Sequence, residues 1–542
     1  MKKILSGNIT LSILSGFILC IGWTQLGIGW ATFIAFVPIL IILERILKDN
    51  RKRKGLRFFG LCYISLFIWN VISTWWIYYA TLAGAIAAIV ISTSLMAVVM
   101  CISFFSFKTF GRRMGYITFI VNWIAFEYLF MNSQISWPWL ILGNSFSNNI
   151  SLIQWYEYVG HLGGSLWIMI INVMTYELLR QITLKEKIKE IRSYSIGLIC
   201  LVFIPITFSL IRYHTYEERG KDIDIVIIQP NIDPYNEKFD NLKIEDQLNI
   251  ILNEAYKVAD KGVDYFIAPE TAIPNYMWED ELNEDPCIES LRAFIFQYPD
   301  AKFIIGANTR TLYKNGTNKT KTSGKLGRTE HYADIFNTSL QIDTSDNILI
   351  YHKSKLVPGV EMMPYPKIFG FLHELMVDLG GMTGSNGTQE KRSVFPNNKL
   401  ELNVGVPICY ESAYGEFMSG FVNEGANVLF VITNDGWWND TPGYKQHMSF
   451  SKLRAVESRR SIARSANTGI SCFINQRGDI LKELGWWKRG ALREIIKAND
   501  KITFYTKYGD FIPRMALVFA IIIFVIQITN GIFIRIKNRN EK

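Results

Sequence analysis

Three segments of the chain end an apolar, strand-like run on a residue that can do chemistry. Glu270 closes VDYFIAPETAIP, Lys353 stands in ILIYHKSKLVP, and Cys409 stands in LNVGVPICYES. A carboxylate, an ammonium and a thiol are the groups that acyl transfer through a thioester requires. Singly, each has a plainer explanation: a thiol packed behind a strand, a carboxylate capping a helix, a solvated charge at a strand end. Their placement at three separate strand ends points to one site.

A Cys–His pair is the rival arrangement. His331, His352, His373 and His447 are the histidines of this region. His352 neighbours Lys353 along a strand and should face the other way. His447 lies in a helical stretch just after TNDGWW and could approach Cys409. No metal-ligand spacing occurs among these residues, so neither a metal nor another cofactor is expected.

The elements that must hold these groups alternate. From about residue 223, strand-like DIDIVIIQPNI leads into IEDQLNIILNEAYKVADKG, whose apolar positions recur three and four apart, as in an amphipathic helix. VDYFIAPETA, AKFIIGANTR, SLQIDTSDNILIYHK, ELNVGVPICYE and NVLFVITNDG read as strands. LRAFIFQYP and the stretch from Tyr444 to Ala463 read as helices, and ISCFINQRGDIL with ALREIIK as a closing meander. Strands apolar on both faces with helices between them mean a layered α/β domain, here 218–508. Ligands collect at the strand ends of such sheets.

A chain of 542 residues is too long for one core. Its 49% hydrophobic and 19% charged residues are two populations, because long apolar blocks fill 1–215 and 511–535. A membrane span needs ~20 mostly apolar residues. Candidates lie at about 8–26, 29–47, 58–78, 82–107, 114–131, 160–180, 193–212 and 511–535, seven before the α/β domain and one after it. KDNRKRKGLR, the group Lys108, Arg112 and Arg113, and the run from Arg180 to Arg192 make every second connection basic. The connections near Trp23–Trp30 and Tyr78–Ala83 carry no charge. Positive charge stays in the cytoplasm, which puts both termini inside and the α/β domain outside. The formal charge of +9 belongs to these membrane-flanking runs, so no nucleic-acid partner is expected.

The opening MKK and its apolar stretch read as a retained anchor, since no small-x-small cleavage site follows. Cys20, Cys62, Cys101 and Cys200 lie in apolar spans; Cys287, Cys409 and Cys472 leave at least one thiol free, with a Cys287–Cys472 bridge open. Glu127, in NWIAFEYLF, either lines a polar cavity or reaches the interface. Trp137, Trp139, Trp155 and Tyr156, in the loop 132–160, suit an interfacial belt or a substrate wall.

IAPETAIP, YHKSKLVPGVE and GVPICYES, in this order and at these separations, resemble the nitrilase superfamily, whose members carry a Glu–Lys–Cys triad on an αββα sandwich. SWPWLILGNSFS, LIQWYEYVG, QPNI, NTSL, TNDGWW and ARSANTGIS match as well. With the flanking spans, the chain resembles the apolipoprotein N-acyltransferases of that superfamily over nearly its whole length. The resemblance implies Cys409 as nucleophile, Glu270 as general base and Lys353 as the cation on the tetrahedral oxyanion. Glu361, Tyr410 and Glu411 match the accompanying family positions, and Phe239 and Trp437 are candidates for substrate contact. Two departures stand near the site: LVPGVE where the family often reads LVPFGE, and Phe239 where it often has Trp. The implied reaction is ping-pong transfer of an sn-1 acyl chain from a membrane phospholipid to the N-terminal S-diacylglyceryl cysteine of an apolipoprotein. It implies a multi-pass protein of the bacterial inner membrane, with its catalytic domain periplasmic and no partner chain needed, so a monomer is expected.

The chemistry of the groups agrees with those roles. A thiol of pKa ~8.5 is mostly protonated at neutral pH and needs a base. Glu270 suits that task if burial raises its pKa toward the operating pH. A cation or N–H at the developing oxyanion is typically worth ~3 kcal/mol, and the backbone N–H of Tyr410 is the natural second donor. The stretch 366–382 reads either as a core helix or as an arm resting on the membrane surface. Trp437 with Trp438 suits a lid edge, and Arg464 and Asn467 suit structural support.

Overall fold

The computed structural model describes residues 7–23, 27–239, 241–369 and 385–540. The chain divides into two compact units. One takes in 1–75, 85–214 and 508–542, the other 76–84 and 215–507. Trp76–Gly84, the end of one apolar helix, the turn after it and the start of the next, thus clusters with the α/β unit.

Six described helices are long and apolar enough to cross a membrane: Gly29–Lys48, Lys54–Tyr79, Leu82–Met131, Tyr156–Leu184, Ile188–Thr215 and Phe511–Asn530. Asn8–Gly22 is apolar but shorter. The two spans expected at about 82–107 and 114–131 form one run of 50 residues, broken at Gly111 with φ 77° and ψ −175°. That conformation is open to glycine alone, so the backbone turns there between two helices. Trp137, Trp139 and Tyr156 are buried within the first unit, so packing accounts for them rather than an interfacial belt. Glu127 is buried too, and one of its oxygens accepts the Trp123 indole N–H at 3.0 Å and the Leu142 N–H at 2.9 Å. It ties the aromatic loop to its helix.

The second unit is a sandwich of two sheets. Strands β1 (Lys221–Gln229), β2 (Tyr265–Ile267), β3 (Ile273–Trp278), β4 (Lys302–Tyr313), β5 (Gly324–Lys325), β6 (Tyr332–Ile342) and β7 (Leu349–His352) belong to the first. Strands β8 (Val394–Asn397), β9 (Leu402–Gly405), β10 (Val428–Thr433), β11 (Ile462–Ala466), β12 (Ser471–Ile474) and β13 (Ile480–Leu484) make the second, in the order β13-β12-β11-β10-β9-β8. The last strand, β14 (Gly490–Ala498), returns to pair antiparallel with β1, giving β14-β1-β2-β4-β6-β5, with β3 on β4 and β7 on β6.

The apolar runs of the sequence explain the layers. In β1, Val226 and Ile228 pack with Leu248, Ile251, Leu291 and Phe294 of the helices Ile244–Tyr256 and Pro286–Ile295. Ile225 and Ile227, equally buried, point to the opposite face. Across the sandwich Tyr265 meets Phe430 with ring centroids 5.1 Å apart, and Ser465 donates to the Ile228 carbonyl at 2.8 Å. Each fully buried Val, Ile, Leu or Phe side chain of these layers contributes about 1.5–3 kcal/mol. Helix Pro442–Ser458 packs on β12 and on helix Gly415–Asn423, whose Phe421 lies against Gly405 of β9. The parallel neighbours β1–β2, β2–β4 and β9–β10–β11 align their carboxyl ends, where Glu270 and Cys409 follow.

Candidate active site

Glu270 sits in the turn after β2 and is 6% exposed. One carboxylate oxygen accepts Lys353 Nζ–H at 3.0 Å and Asn337 Nδ2–H at 2.8 Å; the other accepts the Asn434 N–H at 3.0 Å. Lys353, just past β7 and 1% exposed, also donates to Glu361 at 2.8 Å. Its backbone N–H goes to the Asn337 carbonyl at 2.8 Å, so the β6–β7 pairing fixes where the ammonium stands. Burial alone would cost the ammonium its proton, but Glu270, Glu361 and Cys409 hold its pKa well above the usual lysine value. Burial alone would raise the Glu270 carboxyl; Lys353 and Asn337 outweigh it and hold it below the ordinary 4.5. The shift is opposite to the one burial alone predicts from the sequence, because the counter-charge that accompanies burial comes from a distant segment.

Cys409 lies close enough to Glu270 and Lys353 to feel both charges. It opens the short turn Cys409–Ala413 with φ 51°, a left-handed backbone that costs a non-glycine residue about 1–3 kcal/mol. Burial, then Glu270, push the thiol well above its ordinary value, with Lys353 opposing. The resting pair is therefore a protonated thiol beside an ionised carboxylate. Glu411, in the same turn, is fully buried and accepts from the Tyr351 hydroxyl (2.8 Å) and the N–H groups of Ser354 (2.6 Å), Lys355 (3.3 Å) and Ile408 (2.8 Å). It pins the cysteine turn to the lysine segment, although burial raises its carboxyl to about 7. Tyr410 is buried against Tyr414.

Phe239 is half exposed and stacks on Trp437, with centroids 6.2 Å apart; the Tyr235 hydroxyl donates to the Trp437 carbonyl at 2.8 Å. This aromatic edge adjoins the triad through Lys238 and Asn434. Of the segment 366–382, only the helical turn Pro366–Phe369 is described; 370–384, with His373, lie outside the described residues. His352 turns from Lys353 as its strand position requires, with Nε2 2.6 Å from Glu279 and its ring stacked on Phe336. All seven cysteines are free thiols, which closes the question of a Cys287–Cys472 bridge.

Sequence reasoning missed two residues of this site. Asn337 binds both Glu270 and Glu361, the latter at 3.1 Å. Its signal was the NTSL match, given no role. Lys238, 2% exposed, donates to the Thr271 hydroxyl at 2.7 Å and to the Glu270 carbonyl at 3.3 Å. Burial lowers its pKa to about 8, Glu270 opposing. Nothing along the chain marks Lys238, because its partners are distant in sequence.

Cys409, Asp435 and His447 bring possible metal donors within 4.8 Å of one another. Asp435 already pairs with the buried Arg464 guanidinium at 2.6 Å. That cation compensates the carboxylate's charge, and the set does not favour a metal.

A Glu–Lys–Cys cluster at the strand ends of a four-layered α/β sandwich places this chain in the class of carbon-nitrogen hydrolase folds, and residues 226–500 match that family, the carbon-nitrogen hydrolases. Residues 15–174 match the apolipoprotein N-acyltransferase N-terminal domain. An apolipoprotein N-acyltransferase of Chlorobaculum tepidum is 28% identical over 95% of this chain and 96% of its own. Another, of Geobacter metallireducens, is 27% identical over 92% and 91%. An amidase from Nesterenkonia sp. is similar at 17% identity and TM-score 0.35, over 52% of this chain and 92% of its own. The chain belongs to the apolipoprotein N-acyltransferase family and is an acyltransferase.

Proposed function

We propose that the enzyme carries a fatty acyl chain from the sn-1 position of a membrane phospholipid to the N-terminal S-diacylglyceryl cysteine of apolipoproteins, through a thioester on Cys409. The observation that carries this reading is the convergence of the three groups at the strand ends: Lys353 Nζ stands 3.0 Å from Glu270, and the Cys409 thiol lies close enough to feel both charges. Glu270 takes the thiol proton as Sγ bonds to the ester carbonyl carbon. Lys353 and the Tyr410 N–H hold the negative oxygen. As the tetrahedral adduct collapses, Glu270 returns the proton to the leaving lysophospholipid oxygen. The lipoprotein α-amine then attacks the thioester, its proton passes to Glu270, and the thiolate leaves and is reprotonated. Glu361 and Asn337 keep Lys353 and Glu270 in register; Phe239 and Trp437 flank the acyl chain. Closing the site against water protects the thioester.

Two features support a membrane-embedded enzyme working on an outer leaflet. The break at Gly111 and the short Asn8–Gly22 helix bring the count of apolar segments to the eight that the alternating charge predicts. The uncharged Trp76–Gly84 connection shares a compact unit with the catalytic domain, as it must if both lie outside the bacterial inner membrane. One chain contains every group the reaction uses, which favours a monomer.

Mass spectrometry of the purified protein after incubation with phospholipid tests the proposal. The Cys409 peptide should gain one acyl group, which a diacylglyceryl lipopeptide then discharges. Free fatty acid as the sole product would mean hydrolysis instead. Product formed while Cys409 stays unmodified would remove the covalent intermediate.

The Glu270 turn makes a further demand on β4. A Cβ on Gly306 would stand 2.6 Å from the Glu270 Cα and from the Pro269 carbonyl oxygen, both backbone atoms. Gly306→Val must push that turn outward, at a cost of about 1–3 kcal/mol for overpacking. Displacing the base by as little as an ångström costs about 100-fold in rate. The expected result is a folded variant whose acylation of Cys409, followed by mass, slows by that factor while its melting temperature falls only modestly.

A further inference from the structure

The helix Pro442–Ser458 is buried yet carries His447, Ser449, Ser451, Arg454 and Glu457 inward. Buried polar groups are hydrogen-bonded, so each should have a reason to be there. His447 has no exposed surface. Its Nε2 lies 3.1 Å from the backbone carbonyl oxygen of Cys409 and 3.1 Å from Ser412 Oγ. Ser412 donates to the same carbonyl at 2.7 Å. On the other side of the ring, Nδ1 is 2.9 Å from Asp435 and 3.2 Å from Arg464 Nη2. Asp435 is fixed in turn by Arg464 at 2.6 Å and by the Thr433 hydroxyl at 2.9 Å, and Thr433 reaches the Cys409 thiol.

The carbonyl on which His447 and Ser412 converge belongs to the one residue of the triad with a left-handed backbone. Such a conformation persists only where its surroundings over-determine it. We propose that His447, oriented by Asp435 and Arg464, is a positioning residue: its Nε2–H holds the Cys409 carbonyl, and so aims Sγ and the Tyr410 N–H at the acyl carbon. A carbonyl only accepts, so this contact puts the proton on Nε2 and leaves no lone pair there for the thiol; the bare Nδ1 of the neutral ring accepts the Arg464 Nη2–H at 3.2 Å, and Asp435 acts on the ring through Arg464, which it holds at 2.6 Å. Burial lowers the ring's pKa while Asp435 opposes it; the buried Asp435–Arg464 pair holds the ring in place without the ring having to titrate. The inference rests on Cys409 being the nucleophile, and it assigns to His447 a duty other than that of base.

The test uses the full chain in detergent with His447→Ala, His447→Gln and Ser412→Ala. Two rates are read: alkylation of Cys409 by iodoacetamide and acylation of Cys409 by phospholipid. His447→Ala is expected to slow both about 100-fold, with kcat falling and KM for phospholipid held, as for a misaimed nucleophile. His447→Gln can still present an N–H to the carbonyl and should recover most of the loss. Ser412→Ala, which removes a hydroxyl without adding bulk, should slow both rates in the same sense and decides the matter if the alanine variant at 447 melts early. A glutamine variant as slow as the alanine variant, with both folded, overturns the proposal and makes the imidazole itself the proton carrier. So does wild-type behaviour in His447→Ala. If alkylation follows the expected order while the wild-type protein takes no acyl group from phospholipid, the positioning role stands and the proposed reaction fails.

Discussion

Lys353→Met is expected to damage both stability and rate. The wild-type ammonium lies 3.0 Å from Glu270 and 2.8 Å from Glu361, with 1% of its surface exposed. Removing it leaves the buried Glu270 and the part-buried Glu361 without that counter-charge. Losing one partner of such a buried pair costs about 3–5 kcal/mol. The same change strips the oxyanion of its cation, a loss of about 100- to 1000-fold in kcat. Its pH signature differs from that of a simple packing defect. In the wild-type chain the Glu270 carboxyl is held below 4.5, so it adds stability above that pH and loses it as the pH falls through the depressed value. Without Lys353, burial, the largest influence on this group, pushes the carboxyl up. The stability is then present below pH 4.5 and lost as the pH rises through the raised value. Mild acidification from neutrality should therefore raise the melting temperature of Lys353→Met relative to wild type. A variant that melts with the wild-type pH dependence would separate Lys353 from Glu270.

The strand ends were legible in the sequence because each triad segment passes from an unbroken apolar run to a polar residue, and buried strands impose that pattern. The layers were legible for the same reason: helix periodicity between strands that are apolar on both faces leaves few other architectures. The rest was hidden where it depends on pairing across the sheet. Asn337 reaches Glu270 only because β6 and β7 pair with Thr338 opposite His352, which puts the Asn337 carbonyl on the Lys353 N–H. No spacing along the chain encodes that register. The pKa of Glu270 was misjudged for a related reason, since burial could be inferred from the apolar run, but the proximity of Lys353 could not. In the helical unit, hydropathy located the apolar blocks and left the tryptophans of 132–160 between an interfacial belt and a substrate wall. The structure gives Trp137 and Trp139 an interior role, because the short turns Pro138–Leu140 and Leu142–Phe146 fold that loop inward.

Glu270→Gln isolates the proton transfer from the shape of the site. Glutamine matches glutamate in size and keeps an oxygen for Lys353, while Glu361 still pairs with the ammonium at 2.8 Å. The fold should hold, yet under the proposed mechanism the variant has no base for the Cys409 thiol. The expected loss in the acylation rate is about a thousandfold. The pH profiles should differ in form as well. In the wild type the productive pair is a carboxylate and a thiol, and the carboxyl lies below 4.5. The rate should fall only on the acid side of that value and stay flat through neutrality, with no rise toward the ordinary thiol range. In the variant the thiolate must form by loss of the proton to solvent. Burial remains the largest influence raising that thiol's pKa, although the repulsion from Glu270 is gone. The variant's rate should then climb about tenfold per pH unit, as the thiolate fraction does. Single-turnover acylation across pH, read by mass on the Cys409 peptide, measures both curves. A wild-type profile that bends in the ordinary histidine range, with Glu270→Gln near full rate, would assign the proton to His447 and remove Glu270 from the chemistry.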